Sequence, residues 1–324
     1  MSDAQPARNR FSLIIPVYRN ESTIADLIAA TEQLSRQLAD RFDVELEVVL
    51  VVDGSPDRSF ERLQAGLAQA HVSSQLLLLS RNFGAFTAIR TGLQYAQGTH
   101  FAVMAADLQE PPELILKFYE ILAADQADIV VGQRTGRQDP WTTRLPSACF
   151  WWSYRQLVQP EMPPGGVDVF ACNQLVRDAL MQMAESHTSL VGLLYWLGFR
   201  RASVPYVRQE RRAGKSAWTF RKKWQYMLNS IFSFTALPIS VLGFVGVLGV
   251  LSSLLISVIV FVSWYMDWIP VPGYTPLMLV ILLSSSAQLI GLSIVGNYVW
   301  RAYENSKHRP LAIVMRQFTF RPLP

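Results

Sequence analysis

The sequence predicts an α/β fold with a mostly parallel sheet, followed by juxtamembrane amphipathic helices and a two-helix transmembrane hairpin. In residues 11–132, short apolar runs alternate with helical patterns of about ten to fifteen residues, which indicates right-handed βαβ units. Polar loops follow several of these runs. Between Lys223 and Arg301 the only charged residue is Asp267, and long apolar stretches almost free of charge are typical of membrane spans.

The individual elements follow from the same pattern. Apolar or β-branched runs predict strands at residues 11–16, 46–52, 75–79, 99–105 and 128–132, and a turn leads into a further strand at 165–170. Helices are predicted at residues 22–38, with Ser22 as a candidate N-cap, and at 112–124. Two more helices are predicted between these, one from the turn at 53–57 to about residue 70 and one from the loop at 80–84 through residue 97. Residues 311–315 resemble a strand that pairs either within the chain or with a neighbouring subunit.

Polar loops at residues 16–21, 53–57 and 107–110 each follow a predicted strand. Open α/β sheets bind ligands at the carboxyl ends of their strands, so we expect these loops to form one cleft of nucleotide size. The chain lacks a G-x-G-x-x-G fingerprint, which argues against a dinucleotide.

The third of these loops carries Asp107 and Gln109, which are separated by one residue at a strand end. Both side chains can turn toward one ligand, and their oxygens suit Mg²⁺ or Mn²⁺ held against a diphosphate. The alternative is an ordinary strand-to-helix loop, closed by the Pro111–Pro112 pair that suits a first helical turn.

Composition limits the other classes of function. The two cysteines and four histidines form no metal-ligand pattern, which argues against a zinc site and predicts reduced thiols in the cytosol. The N-terminal residues are polar, so no cleavable signal peptide is expected.

Residues 237–264 and 275–300 are each long enough to cross a bilayer. The connector at 266–274 has no Lys or Arg, whereas both outer flanks are basic. The positive-inside rule then places both termini and the catalytic domain in the cytoplasm, with the chain a multi-pass protein of the inner (plasma) membrane.

Cations and aromatic residues are mixed just before the first of these spans, in residues 200–226. Such a segment attracts anionic lipid headgroups. A solvated charged face and a nucleic-acid surface are the alternatives, and the adjoining span argues against nucleic acid. For residues 141–158, which also mix tryptophan with arginine, a membrane-interface helix and a helix packed on the sheet both remain open.

Six short motifs occur in one order along the chain: P-V-Y-R-N-E at 16–21, D-G-S-P-D at 53–57, R-N-F-G at 81–84, D-L-Q-E-P-P-E at 107–113, R-R-A-G-K-S at 211–216, and G-N-Y at 296–298 followed by Arg301 and Arg309–Pro310. Together with the two apolar spans, they resemble the polyprenyl-phosphate glycosyltransferases, a family-two group with the GT-A fold.

The resemblance implies roles for particular residues. Asp107 and Gln109 would hold the divalent metal on the donor diphosphate. The donor's base and ribose would contact Asp53, Glu21 and the backbone of Pro16, Val17 and Tyr18. The acceptor phosphate would bind Arg134, Arg144 and Ser147, and either phosphate group would be within reach of Arg211 and Lys215. The catalytic set is then Asp107, Arg134, Arg144, Ser147 and Arg211.

The resemblance also implies the reaction, an inverting transfer from a nucleotide sugar, expected to be uridine diphosphate-linked, to undecaprenyl or dolichyl phosphate. A phosphate monoester is already anionic at neutral pH, so no general base is needed. Two departures from the family pattern concern this chain: Val52 and Ala105 stand where aspartates are usual, which affects base recognition and metal affinity.

Two other functions fit parts of the sequence. A processive polysaccharide synthase would share the fold, but its Q-x-x-R-W signature is absent at residues 209–212. A non-catalytic, membrane-anchored scaffold that binds nucleotide sugars would explain Val52 and Ala105. The expected organisation is a GT-A domain at 1–205, an interface segment at 206–230, the hairpin at 231–301 and a cytosolic tail at 302–324. A homo-oligomer is expected.

Overall fold

The computed structural model describes residues 9–135, 155–156, 160–163, 166–183, 185, 188–209, 220–235, 237–266 and 273–322. The chain divides into two compact units. The first comprises Met1–Trp224 with Arg309–Pro324, and the second is Gln225–His308.

The first unit is built on one sheet of eight strands in the order β7-β5-β6-β4-β1-β2-β3-β8. The strands are β1 (Arg10–Val17), β2 (Glu45–Val52), β3 (Ser73–Leu79), β4 (His100–Val103), β5 (Ile129–Arg134), β6 (Phe170–Asn173), β7 (Arg201–Tyr206) and β8 (Val314–Phe320). Neighbours are parallel in β1–β2, β1–β4, β2–β3 and β5–β7. They are antiparallel where β6 meets β4 and β5, and where β8 meets β3. The described sheet is therefore mixed, with four parallel and three antiparallel pairs, and six of its eight strands run in one direction, as the prediction of a mostly parallel sheet requires.

Helices cover the sheet because each presents an apolar stripe to it. They are α1 (Ile24–Phe42), α2 (Ser59–Leu67), α3 (Ala85–Tyr95), α4 (Pro112–Ala123), α5 (Gln174–Gln182) and α6 (Leu190–Trp196). In α1, for example, Leu27, Leu34 and Leu38 are buried at helical spacing. Both faces of β2 are buried, as its run of valines and leucines requires in a central strand.

Several predicted boundaries are wrong in detail. Ser22 is not the N-cap, because Glu21–Thr23 form a 3₁₀ turn and α1 starts at Ile24. Strand β4 ends at Val103, two residues before Ala105, since the chain already turns into the loop there. The C-terminal strand starts at Val314 and pairs with β3 inside the chain, which decides between the two alternatives for the tail.

The described residues of the second unit form three helices, α7 (Phe220–Phe234, which begins in the first unit), α8 (Leu237–Tyr265) and α9 (Tyr274–Ser306). The Arg301 guanidinium donates to Asn229 Oδ1 at 2.9 Å and Ser233 Oγ at 3.2 Å, which links α9 to α7. Among the described residues, no single helix passes a length-and-hydropathy test for a membrane span. The pair Met227–Phe234 and Leu237–Gly249, with a 77° bend between them, passes it jointly.

Candidate functional site

The carboxyl ends of six strands reach the same edge of the sheet, because β1–β5 and β7 all run in one direction. The loops that leave this edge contain most of the residues singled out from the sequence. Two parts of the edge differ in character: the loops after β1, β2 and β3, and the loops after β4, β5 and β7.

Asp53 joins the loops after β2 and β3. Its buried carboxylate accepts hydrogen bonds from the backbone N–H groups of Phe83 at 2.7 Å and Gly84 at 2.9 Å. Burial raises the pKa of Asp53, and these two N–H donors oppose that rise. Gly54 follows at φ +55°, where an added Cβ would lie 2.3 Å from the carbonyl carbon of Arg81, so the close approach of the two loops requires glycine.

Asp57 joins the loops after β1 and β2. Its carboxylate accepts from the hydroxyls of Ser55 at 2.6 Å and Ser59 at 2.7 Å, and from the backbone N–H of Glu21 at 3.1 Å. Burial alone would raise the pKa of Asp57, but the hydrogen bonds from Ser55 and Ser59 outweigh it and the pKa is lowered. A cavity of about 270 Å³ opens beside this network, lined by Arg19, Glu21, Ser22, Asp57 and Arg62.

The predicted nucleotide-contacting residues of β1 lie at the same place. Val17 is fully buried, and its carbonyl accepts from the backbone N–H of Asp53 at 3.0 Å. Tyr18 is half-buried, and its N–H donates to Asn20 Oδ1 at 3.1 Å. The Glu21 carboxylate pairs with Arg62 at 3.0 Å. Pro16, Val17, Tyr18, Glu21 and Asp53 are thus brought together around the first two strand ends.

The loop after β4 contains Asp107, Gln109 and Glu110, with Leu108 in the left-handed region at φ +55°. Gln109 is buried and held by the chain that follows β7. Its Oε1 accepts from the Arg208 guanidinium, and its Nε2 donates to the carbonyl of Gln209 at 3.2 Å. The backbone N–H of Gln209 returns a bond of 2.9 Å to the carbonyl of Gln109.

Opposite charges crowd this part of the edge. Burial raises the pKa of Glu110, and the neighbouring Asp107 raises it further, while Arg208 and Arg134 pull it down. Arg134, at the end of β5, has a pKa lowered by burial and by the like charge of Arg208. Its guanidinium forms an ion pair with Asp168.

The family model of glycosyl transferase family 2 matches residues 12–182, which span β1 to the end of α5. The chain belongs to glycosyl transferase family 2. Its mixed α/β sheet is accordingly the Rossmann-like GT-A fold that the motifs predicted, and the chain is an enzyme of the glycosyltransferase class.

Relatives extend the match beyond that domain. This glycosyltransferase is 32% identical to an uncharacterized glycosyltransferase of Synechocystis, over 97% of each chain. It is 30% identical to the bactoprenol glucosyl transferase of Shigella phage SfV, over 95% of this chain and 99% of the phage protein. A glucosyl-3-phosphoglycerate synthase from Mycobacterium tuberculosis, solved with Mn²⁺ and UDP-glucose, overlaps 69% of this chain and 79% of that one, at 17% identity and a TM-score of 0.46.

The two predicted metal ligands of this glycosyltransferase, Asp107 and Gln109, lie on one loop, and in the ligand-free protein the side chain of Gln109 is held by other residues. The Gln109 oxygen that would face an ion accepts a hydrogen bond from Arg208 instead. Ala105 offers no side-chain oxygen, and no cluster of three or more His, Cys, Asp or Glu side chains suited to a metal occurs among the described residues.

The structure brings Asp107, Gln109 and Arg134 together at the second part of the edge. Arg144, Ser147, Arg211 and Lys215 lie outside the described residues. Sequence reasoning did not single out Glu110, Arg208 or Asp57 as functional side chains in this glycosyltransferase. Arg208 could have been found if residues 201–206 had been interpreted as a strand, because it is the cation that follows that strand end.

Proposed function

We propose that this glycosyltransferase moves a sugar from a uridine diphosphate sugar to a polyprenyl phosphate at the cytosolic face of the inner membrane. The observation that carries the proposal is the pair of guanidinium groups, Arg134 and Arg208, beside Asp107 and Glu110 at the carboxyl edge of the sheet. Guanidinium groups match phosphate oxygens with paired hydrogen bonds, and both proposed substrates carry phosphate at the reacting end. The relatives named bactoprenol glucosyl transferase support a polyprenyl acceptor.

The chemistry needs one displacement. An oxygen of the acceptor phosphate attacks the anomeric carbon, the bond from that carbon to the donor diphosphate breaks, and its electron pair leaves with the diphosphate. The acceptor oxygen is already anionic, because the second pKa of a phosphate monoester is about 6. A single attack from the face opposite the leaving group inverts the anomeric carbon.

The proposed roles of the side chains follow from their places on the edge. The network around Asp53 and Asp57 shapes the loops that would receive the base and ribose. Arg134 would bind the acceptor phosphate and hold its oxygen toward the sugar. The guanidinium groups also stabilise charge that develops on the leaving diphosphate. A divalent ion at Asp107 and Gln109 stays a prediction.

Residues 237–264 and 275–300 are proposed to anchor the enzyme as a transmembrane hairpin, with both termini cytoplasmic and the connector outside. The described part of α8 and α9 exposes large apolar side chains on most of its surface, including Phe244, Leu251, Leu255, Val258, Leu289, Ile290 and Leu292. Exposed apolar surface of this extent marks contact with lipid or protein. The domain boundaries at residues 205, 230 and 301, and assembly into a homo-oligomer, belong to the same proposal.

The test uses membranes that contain the full-length protein, radiolabelled nucleotide sugars and undecaprenyl phosphate. We expect one labelled single-sugar lipid, from a uridine diphosphate donor. Arg134→Ala should greatly reduce its rate of formation, whereas Arg36→Ala, on the exposed face of α1, should leave that rate unchanged. A polymeric product would favour the processive synthase, and no glycolipid from any donor with intact protein would overturn the proposal.

The anchoring is tested separately. The protein should stay with the bilayer after a carbonate wash at high pH, and a protease added outside sealed spheroplasts should cut only at the connector. Release of the intact protein by carbonate would overturn the anchor while leaving the transfer chemistry open to its own test.

A further inference from the structure

Arg208 is placed by the strand that precedes it. Strand β7 ends at Tyr206, and the next residues continue along the loop after β4, where Gln209 and Gln109 exchange a backbone bond of 2.9 Å and a side-chain bond of 3.2 Å. These two bonds fix the backbone beside Arg208. The side chain then reaches back, and one terminal nitrogen donates to Gln109 Oε1.

This guanidinium is a cation that lies at the loop predicted to bind a metal. It donates to the amide oxygen that the sequence assigns to a metal. It also lies close enough to Glu110 to lower the pKa of that carboxyl. The Arg208 side chain is half-buried, and its Nε finds no hydrogen-bond partner among the described residues. A buried N–H without an acceptor destabilises the folded protein unless a ligand accepts a hydrogen bond from it.

A second cation beside it is unfavourable in the ligand-free protein. The like charge of Arg208 lowers the pKa of Arg134, so the two guanidinium groups repel each other. An anion with several oxygens relieves that repulsion and offers acceptors to both groups. A diphosphate has the required charge and the number of oxygens.

We propose that Arg208 binds the donor diphosphate and supplies there the positive charge otherwise expected from a divalent ion, so that donor binding depends only weakly on metal. The inference rests on the proposed function, because it takes a nucleotide diphosphate sugar as the donor. It goes further by naming the residue that neutralises the leaving group and by separating donor affinity from metal. As the bond to the anomeric carbon breaks, the electron pair passes to the diphosphate oxygen, and the guanidinium stabilises that charge without proton transfer.

The experiment measures uridine diphosphate binding to the purified full-length protein by calorimetry, once with Mn²⁺ and once with EDTA. The quantity compared between variants is the ratio of the two Kd values, since a general loss of structure would weaken both. For the wild type we expect binding in EDTA within about tenfold of that in Mn²⁺. Arg208→Gln should weaken binding in EDTA by about 10 to 100-fold, as expected for a lost charged hydrogen bond, and by less in Mn²⁺.

Two controls keep the result interpretable. Arg208→Lys retains the charge and should keep most of the binding in EDTA even if Arg208→Gln fails to fold. Arg36→Gln removes an exposed arginine on α1 and should change neither Kd.

Loss of wild-type binding in EDTA, or an Arg208→Gln ratio equal to that of the wild type, would overturn the inference. In either case the binding in Mn²⁺ would leave the proposed function standing. If the wild type bound uridine diphosphate in neither buffer, the proposed donor itself would be wrong.

Discussion

The two parts of the carboxyl edge use their carboxylates in opposite ways. In the loops after β1, β2 and β3, the carboxylates of Asp53 and Asp57 accept several hydrogen bonds from backbone N–H groups and serine hydroxyls. After β4, β5 and β7, Glu110 accepts one hydrogen bond from the described residues, from the N–H of Ala105 at 3.3 Å, and lies near the arginines Arg134 and Arg208. We call these the framework side and the charged side.

The difference in hydrogen bonding separates carboxylates that hold the loops together from carboxylates that are candidates for ligand binding. Donors on the framework side lower the pKa of Asp57, so the charge of that carboxylate stabilises the fold, and at Asp53 two backbone N–H donors oppose the rise in pKa that burial causes. On the charged side burial raises the pKa of Glu110, so ionisation of that carboxyl destabilises the folded protein. Groups that weaken the folded protein but sit at a ligand-binding edge are candidates for function.

The largest effect is expected from the charged side. Arg134→Ala should lower kcat/KM for glycolipid formation by about 100 to 1000-fold, the usual loss when one donor to a developing charge is removed. Steady-state assays with membrane-reconstituted protein measure it, together with the melting temperature. A variant that melts like the wild type and keeps more than a tenth of its activity would place acceptor binding elsewhere.

The framework side should respond in stability instead. Asp53→Ala leaves the N–H groups of Phe83 and Gly84 without their acceptor, and each buried unsatisfied donor costs about 1–3 kcal/mol. Chemical denaturation should therefore show a loss of about 2–6 kcal/mol in the free energy of unfolding. Asp53→Asn keeps one acceptor oxygen and should lose about half as much. Equal stability of Asp53→Ala and wild type would show that the carboxylate does not hold the two loops.

The third prediction concerns pH. The folded pKa of Glu110 lies above its usual value of 4.5, so the wild type loses stability as the pH rises through that folded pKa. Glu110→Gln has no such loss. Its melting temperature should exceed that of the wild type at pH 7, and the difference should shrink toward pH 4. A difference that does not vary with pH would mean that Glu110 is not destabilised by its surroundings.

The smallest effect is expected for Asp57→Asn, measured as its melting temperature over the same range of pH. Its folded pKa lies below its usual value of 3.8, so its stabilising charge is fully present above that value and is lost as the pH falls through the folded pKa. Asp57→Asn should melt slightly below the wild type, by an amount that stays constant from pH 7 to pH 5. Thermal scans of both variants in one buffer series compare the two sides directly. If the difference in melting temperature between Asp57→Asn and the wild type grew with pH, as expected for Glu110→Gln, the two sides of the edge would not differ in how their carboxylates affect stability.

The framework side could be predicted well from the sequence, because it is made of local signals. Asp53 and Gly54 follow a β-branched run directly, and Glu21 follows the end of the first strand within a few residues. The rule that parallel strands end at one edge then brings these loops together without further information.

The charged side could be predicted only in part. Asp107, Gln109 and Arg134 follow predicted strands, but strand β7 is short and contains Pro205, which weakens the strand signal of its alternating apolar residues Ala202, Val204 and Tyr206. Its partner β5 is far away in the sequence. Without β7 nothing places Arg208 against Gln109. Burial of Glu110 likewise depends on packing that no local pattern records.

Strand β8 has a consequence for how the protein is made. It covers the outer edge of β3, yet it is encoded after both long apolar helices. During translation β3 therefore remains an open edge, able to pair with other nascent chains, until β8 itself has been synthesised. The sheet of this glycosyltransferase is complete only after both apolar helices have left the ribosome, which places closure of that edge after the synthesis of the helical unit.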